Sequence, residues 1–509
     1  MSKLTHQIQE ALLQTRPILH EKETWYTTRE LQWEMAKVQD YLITAGVSKG
    51  DRVLVGLPNS YQFISIFLGI IDYGAVIVPI NPNMPEIEFL SFIERSKPVF
   101  GFIKPEYTNF LLKEEVKSIP LDSFCRVDYD GYTFFDFKDI PQPHQRESNI
   151  EEDSIAILLY TSGTTGVPKA VGLTHGQILE TATNIIMSHE LKSTDTTYCF
   201  LPLFHINAQV VAVLSTILSH GKIVLEEKFS ATKFWNVIQE FQITWVSAVP
   251  AIISILLEKP QPKEIPTHVR FIRSASAQLP MIHAKRFEQR FGIPLIQSYG
   301  MTEAASQICV NPLPPKKRVL GSVGLPVGLQ LQIVDSNGRK VPANKVGEIT
   351  IRGKNVITSY VEALNQDDFR NGWFHTGDLG FMDQEGYVFI VGRIKEMINR
   401  GGEKISPYEV EDVIRQLPMI KEAAVIGIPH HLYGEEIVAY IRQNQHDHND
   451  ELEQLVMDHC KRYLTSFKCP AKVVIVEDLP HGPTGKVQRS RLKEISVEYF
   501  QNLQHSSMR

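Results

Sequence analysis

Before residue 300, short β-branched runs alternate with helical stretches along most of the chain. RVLVG (52–56) is followed by a helical stretch at 60–73 and then by AVIVPI (75–80). KIVLE (222–226) leads to a helix near 231–241, to TWVSAVP (244–250) and to a second helix near 251–258. RFIRSAS (270–276) precedes a helix near 280–291, and PLIQSYG (294–300) ends in a loop. Alternation of this kind predicts βαβ units and parallel sheets, with functional loops beyond the carboxyl ends of the strands. YTSGTTG, SASAQ and SYGMTE occupy three such ends. They are expected to converge on one rim of a sheet, where polar loops make a site.

The texture changes after residue 318. LQLQIVDSNGRKVP carries a hairpin turn at Ser336-Asn337-Gly338, and GEITIRG alternates apolar with polar residues, which predicts a β-rich subdomain. From about residue 405 a new pattern runs EVEDVIRQ, EAAVIGIP, EIVAYIR, a helix near 451–464 and AKVVIVEDLP. A chain of 509 residues exceeds one compact core. The expected fold class is therefore α/β: a large N-terminal domain (1–392) with doubly wound sheets and a β-rich subdomain, then a small α+β C-terminal domain (393–509).

Composition removes several classes of function. Hydrophobic residues at 43% and charged residues at 22% argue against disorder. A net charge of -6 without a basic stripe, KKR (316–318) being only a short cluster, argues against nucleic acid as the main partner. The five cysteines show no CxxC spacing, which fits reduced thiols in a cytoplasmic protein. The N-terminal MSKLTHQIQEALLQ lacks the continuous apolar core of a signal peptide. FISIFLGIIDYGAVIVPI (63–80) is interrupted by Asp72, Gly74 and Pro79, so it reads as a buried helix and strand and not as a membrane span.

YTSGTTGVPKAV (160–171) follows the apolar run IAILLY (155–160) and reads as the loop leaving a buried strand. Gly163 and Gly166 let backbone N–H groups approach an anion, hydroxyls add donors, and Lys169 supplies charge. A phosphate cradle is one reading; a plain connector rich in Gly, Ser and Thr is the other. It is not a Walker A loop, because Gly163 and four further residues are followed by Pro168 and not by Gly-Lys-Ser/Thr.

An ordered series extends that stretch along most of the chain: LPLFHI (201–206), SYGMTEA (298–304), GEITIRG (347–353), WFHTGD (373–378), GRIKEMINRGGEKISPYEVE (392–411) and PTGKVQR (483–489). With YTSGTTGVPKAV, it resembles the acyl-adenylate-forming enzymes: acyl-CoA synthetases, adenylation domains and firefly luciferase. The resemblance implies that a carboxylate attacks the α-phosphate of ATP to give an acyl-AMP and pyrophosphate, and that CoA then displaces AMP. The first step brings two anions together, so cations and donors must surround the phosphorus.

By the same resemblance, Thr161, Ser162, Gly163, Thr164, Thr165, Gly166 and Lys169 contact the β/γ-phosphates. Thr302 is implied as an α-phosphate donor, and Glu303 with Thr165 as ligands of Mg²⁺, which suits few carboxylates plus phosphate and water. Tyr299 and Gly300 would line adenine opposite Ser276 and Ala277, while Asp378 and Arg393 would hold the ribose. His205 is similar to the family's gate near the acyl pocket, and Lys486 to the lysine that bridges carboxylate and α-phosphate. The small domain is implied to be mobile, turning near Lys395 to withdraw Lys486 and to bring Arg400, Gly401 and Gly402 towards the thiol.

FIRSASAQLP (271–280), NPLPPKKR (311–318) and GRIKEMINRGGEKISP (392–407) are closest in style to the oxalate–CoA ligase branch, with His205, Ser274 and Ser276 as candidates to hold a small diacid. Ala275 and Gln278 depart from that branch's RSCSA-type loop. INAQVVAVLSTIL after the histidine is apolar enough for an aryl or medium-chain acid, although Gln209 adds polarity. Adenylation for a carrier protein, without free CoA, is the alternative acceptor chemistry, and a nucleotide-binding protein without catalysis is the third reading.

Overall fold

The computed structural model describes residues 1–107, 124–128, 131–134, 149–161, 169–362, 366–443, 451–481 and 487–496. Two large sheets carry the first 300 residues. In the nine-stranded sheet the strands Pro17–Glu21, Lys222–Leu225, Thr196–Cys199, Trp245–Ala248, Phe271–Ser274 and Leu295–Tyr299 lie side by side and parallel. In the seven-stranded sheet Phe124–Asp128, Phe100–Ile103, Arg52–Gly56, Val76–Pro79 and Ile155–Thr161 are parallel, with antiparallel strands at both edges. Parallel sheets need both faces covered. Accordingly, Val53, Leu54, Val55, Ile77 and Val78 are all buried.

The apolar run at 63–80 resolves as a helix, Tyr61–Tyr73, capped by Ser60 and ended by Gly74 at φ +94°, and then by the strand Val76–Pro79. Its interruptions are thus a left-handed stop and a strand terminus, which a spanning helix would not contain. Among the described residues no helix is long and apolar enough to cross a membrane.

One sequence expectation needs correcting. The three loops do not share one rim: Tyr160 and Thr161 end one strand, Lys169–Thr174 forms the next, and the two pair antiparallel with Thr161 opposite Lys169. These two strands form a hairpin of the seven-stranded sheet, whereas SASAQ and SYGMTE leave neighbouring parallel strands of the nine-stranded sheet. The three loops therefore belong to two sheets and not to one rim. A capping box at Thr174 and Gln177 turns the hairpin into the helix His175–His189, and Gln177 also donates to the Val356 carbonyl at 3.0 Å.

The β-rich part pairs Leu329–Val334 with Gly347–Gly353 and then Trp373–Met382 with Val388–Arg393. The turn at 335–339 is present, with Gly338 at φ +75°. Its return is only the isolated bridge Val334–Lys340, so the pairing strand is Gly347–Gly353.

From Ile398 onward the hydrophobic side chains gather in clusters of their own. A five-stranded sheet is built on the long hairpin Ile420–His430 and Gly434–Gln443. Ala423, Val425, Ile437, Ala439 and Ile441 pack with the helices Pro407–Ile414 and Leu452–Tyr463, while Ala424, Ile426, Val438 and Tyr440 pack with Leu479 and Leu492. The period of two places a core on each face of this sheet. Three free thiols are sealed inside, Cys199 and Cys309 in the large core and Cys460 in the small one, while Cys469 is half-buried.

Candidate active site

Tyr299 closes a parallel strand at the point where the chain doubles back, so that Ile308 N–H donates to the Tyr299 carbonyl at 2.9 Å. Gly300 makes that reversal possible: a Cβ there would lie 1.4 Å from the Ser306 carbonyl oxygen. The Tyr299 hydroxyl donates to Asp378 Oδ2 at 2.6 Å, across from another sheet. Asp378 is buried on Trp373–Met382, directly opposite Arg393 in the register, and its Oδ1 receives Arg393 Nε at 2.8 Å. Burial and then the neighbouring carboxylate raise the Tyr299 hydroxyl well above its ordinary range, so it stays a donor. Burial works against the Arg393 charge, but Asp378 and Glu396 hold it above the usual range.

Thr302 and Glu303 form a single 3-10 turn just beyond. Glu303 is buried; desolvation raises its carboxyl, opposed by a backbone N–H and by the charges of Arg393 and Lys169. Ile357 N–H donates to its carbonyl at 2.9 Å and fixes the turn against the β-rich part. Lys169, first residue of its strand, forms an ion pair with Asp368 and places its ammonium 4.5 Å from the Tyr360 ring centroid. The Tyr360 hydroxyl donates to Asp368 at 3.0 Å. Lys169, Glu303, Arg393, Asp378 and Tyr299 thus meet where the two large sheets and the β-rich part join.

A third group lies at the start of an eight-residue π-helix, Asn207–Leu214, immediately after His205. Burial lowers the His205 pKa to about 4, so the ring is neutral, and its Nε2 has no partner among the described residues. Ser274 is buried with its hydroxyl also unpartnered. Ser276, at φ +73°, is exposed and accepts from Asn207 Nδ2 at 3.3 Å; Ala277 beside it is exposed. Gln209 donates its amide to the Leu203 carbonyl at 2.7 Å.

Gly401 and Gly402 sit elsewhere. They form the exposed turn between Ile398–Arg400 and Glu403–Ile405, at φ +63° and +89°, and Gly401 N–H donates to the Tyr433 carbonyl of the same small sheet. Arg400 is paired with Glu436 at 2.7 Å. Lys395 lies in the 3-10 turn Ile394–Glu396. Ser162, Gly163, Thr164, Thr165, Gly166 and Lys486 lie outside the described residues.

Two family models match the chain: "AMP-binding enzyme" over residues 7–361 and "AMP-binding enzyme C-terminal domain" over residues 409–486. This chain belongs to the AMP-binding enzyme family. By class it is an AMP-forming acyl-CoA synthetase. Among proteins similar to this AMP-binding enzyme is the sulfoacetate–CoA ligase of Cupriavidus necator, 37% identical over 88% of each chain. The oxalate–CoA ligase of Saccharomyces cerevisiae is 34% identical over 95% of each chain. The crystal structure of ATP-bound MatB from Rhodopseudomonas palustris overlays with a TM-score of 0.88 at 27% identity, covering 97% of this chain and 98% of the other. These names do not favour an enzyme that only adenylates for a carrier protein.

The AMP-binding enzyme also uses residues that its motifs do not single out. Asp368 and Tyr360 engage Lys169 from 199 and 191 positions away in the case of the carboxylate and ring respectively, as pairings between sheets do. Arg489 ties the segment 487–496 to the 3-10 turn Ile394–Glu396 and the helix Pro407–Ile414, donating to Glu396 at 3.1 Å and Glu411 at 2.6 Å with its guanidinium 4.3 Å from the Tyr408 ring centroid. Its signal was present as the last residue of PTGKVQR.

Proposed function

We propose that this enzyme joins CoA to a small carboxylic acid bearing a second anionic group, by way of an acyl-AMP. The observation that carries the nucleotide half is the Tyr299–Asp378–Arg393 constellation, a buried carboxylate flanked by an aromatic ring and a cation beside Glu303 and Lys169. In this reading Asp378 accepts the ribose hydroxyls, since an ionised carboxylate is acceptor-only. Tyr299, Gly300 and Ala277 border adenine, Thr302 donates to the α-phosphate, and Lys169 with the 161–166 segment contacts the outer phosphates.

Glu303 fits a magnesium ligand set: one buried carboxylate, leaving other positions to phosphate and water, with Thr165 as the hydroxyl candidate. The ion would neutralise phosphate charge when bound. The chain's own residues do the remainder. Lys486 bridges the incoming carboxylate and the α-phosphate, holding two anions in line as charge shifts. The small domain, 393–509, then turns near Lys395, withdrawing Lys486 and bringing the glycine turn at 401–402 to the site, where small residues leave room for pantetheine. Neutral His205 gates the acyl pocket. The similarity to ligases named for sulfoacetate and oxalate supports a small anionic acid, and the scattered, unpaired thiols support a cytoplasmic setting.

Single-turnover kinetics with Lys486→Ala test the sequence of steps. Acyl-AMP formation is expected to fall by about 100-fold or more, while thioester formation from supplied acyl-AMP and CoA persists. Normal acyl-AMP formation in that variant removes the assigned role.

A further inference from the structure

Arg273 is wholly buried, yet no carboxylate meets it among the described residues. Its hydrogen bonds all go to neutral oxygens: Nη1 to Asn207 Oδ1 at 3.3 Å and Ser247 Oγ at 3.2 Å, Nη2 to Ser298 Oγ at 2.9 Å. Nε has no acceptor. Other buried charges of the protein are treated differently. Asp195 holds Arg270, Asp378 holds Arg393, and Glu411 holds Arg415 and Arg489. Neighbouring His189 adds no negative charge, being kept neutral by burial and by the guanidinium itself. Burial pulls Arg273 below its ordinary range, to about 9, which leaves it charged at neutral pH. A buried cation without a counter-ion costs several kcal/mol and serves stability less well than an apolar residue of like volume.

The charge has an outlet. Asn207 Oδ1 accepts from both Arg273 and Ser247, so its amide nitrogen must face the other way, where it donates to Ser276 Oγ. That end of the amide lies at the start of the π-helix next to His205, and the Ser276 hydroxyl beyond it is exposed. One strand residue from Arg273, the buried Ser274 hydroxyl has no partner among the described residues. The result is a row of neutral donors backed by an unneutralised cation.

We propose that Arg273 is a positioning residue for substrate choice: acting through the Asn207 amide, it makes the Asn207–Ser276 rim a seat for a carboxylate or sulfonate remote from the reacting carboxyl. This rests on the small anionic acid proposed above and names the groups that select it.

Acid-dependent pyrophosphate exchange by the full chain tests it with matched pairs, oxalate against oxamate and malonate against malonamate, plus sulfoacetate. In each pair an amide replaces one carboxylate. The wild type is expected to prefer the dianions. Arg273→Met should lower that preference by about 10-fold or more, since polar groups arranged for one partner discriminate strongly against an analogue that lacks it. The loss should fall on the KM of the dianions, with the amide acids changed by less than about threefold. Arg273→Lys should restore part of the preference, and Asn207→Ala should reproduce the loss while the Arg273 charge stays in the protein, held by Ser247 and Ser298. Thermal melting and ATP binding accompany each variant, and should Arg273→Met fail to fold, the other two variants decide. An equal loss on both members of a pair means a strand-stapling role and overturns the proposal, as does an unchanged preference. A wild type indifferent to the second charge overturns the substrate class, and Arg273's role with it; a discriminating wild type whose variants still discriminate overturns the role alone.

Discussion

Asp378 answers two partners at once, with one oxygen for the Tyr299 hydroxyl and the other for Arg393. Removing it takes the acceptor from the half-buried Tyr299 hydroxyl and Arg393 guanidinium, and with it the carboxylate assigned above to the ribose. Asp378→Ala is therefore expected to raise the KM for ATP by about 30-fold or more, with a smaller effect on the KM for CoA in steady-state assays. At this scale, residues inside contiguous motifs were legible from sequence because a short pattern carries type and order together. Arg273, Asp368 and Tyr360 were not, because each acts through a partner brought near only by the fold. Lys169 meets Asp368 across 199 positions, and Arg273 meets Asn207 across 66. No local spacing encodes such pairs.

Elements were more legible than their partners. The strands at 52–56 and 347–353 fall where β-branched alternation puts them, whereas the helix expected near 231–241 is the shorter Phe234–Glu240. The π-helix Asn207–Leu214 had no separate signal, since an apolar run such as VVAVL reads the same for any helical period. Its place beside His205 is where such irregular helices tend to occur, at sites of function. The antiparallel return at Lys169 has no signal of its own, because turn residues mark a reversal without specifying whether a strand or a helix lies beyond it. The reversal after Tyr299 gives the sharpest test of an element. Gly300→Ala would drive a methyl into the Ser306 carbonyl. It is expected to destabilise the protein by about 3 kcal/mol, read as a lower urea midpoint, and to depress ATP binding along with it.

For the whole molecule, the two large sheets and the β-rich part share one core, with a second cluster on the other face of the seven-stranded sheet, while the small sheet carries a core of its own on each face. Burial of neutral histidines links the large body to pH. His175 and His189 are held at about 4 and about 3 by desolvation, below the unfolded value near 6.5. Between those limits the unfolded chain binds more protons. Stability from these groups is therefore complete above about pH 6.5 and is lost as the pH falls, by about 2 kcal/mol each at pH 5. Melting temperature should decline from pH 7 to pH 5, and His189→Gln should flatten the slope; an unaltered slope would refute the assignment. The sealed thiols give the architecture an experimental handle. Because Cys199 and Cys309 share one interior and Cys460 occupies another, alkylation rates under mild denaturant would act as two clocks in one polypeptide, each timing how often its own half breathes open.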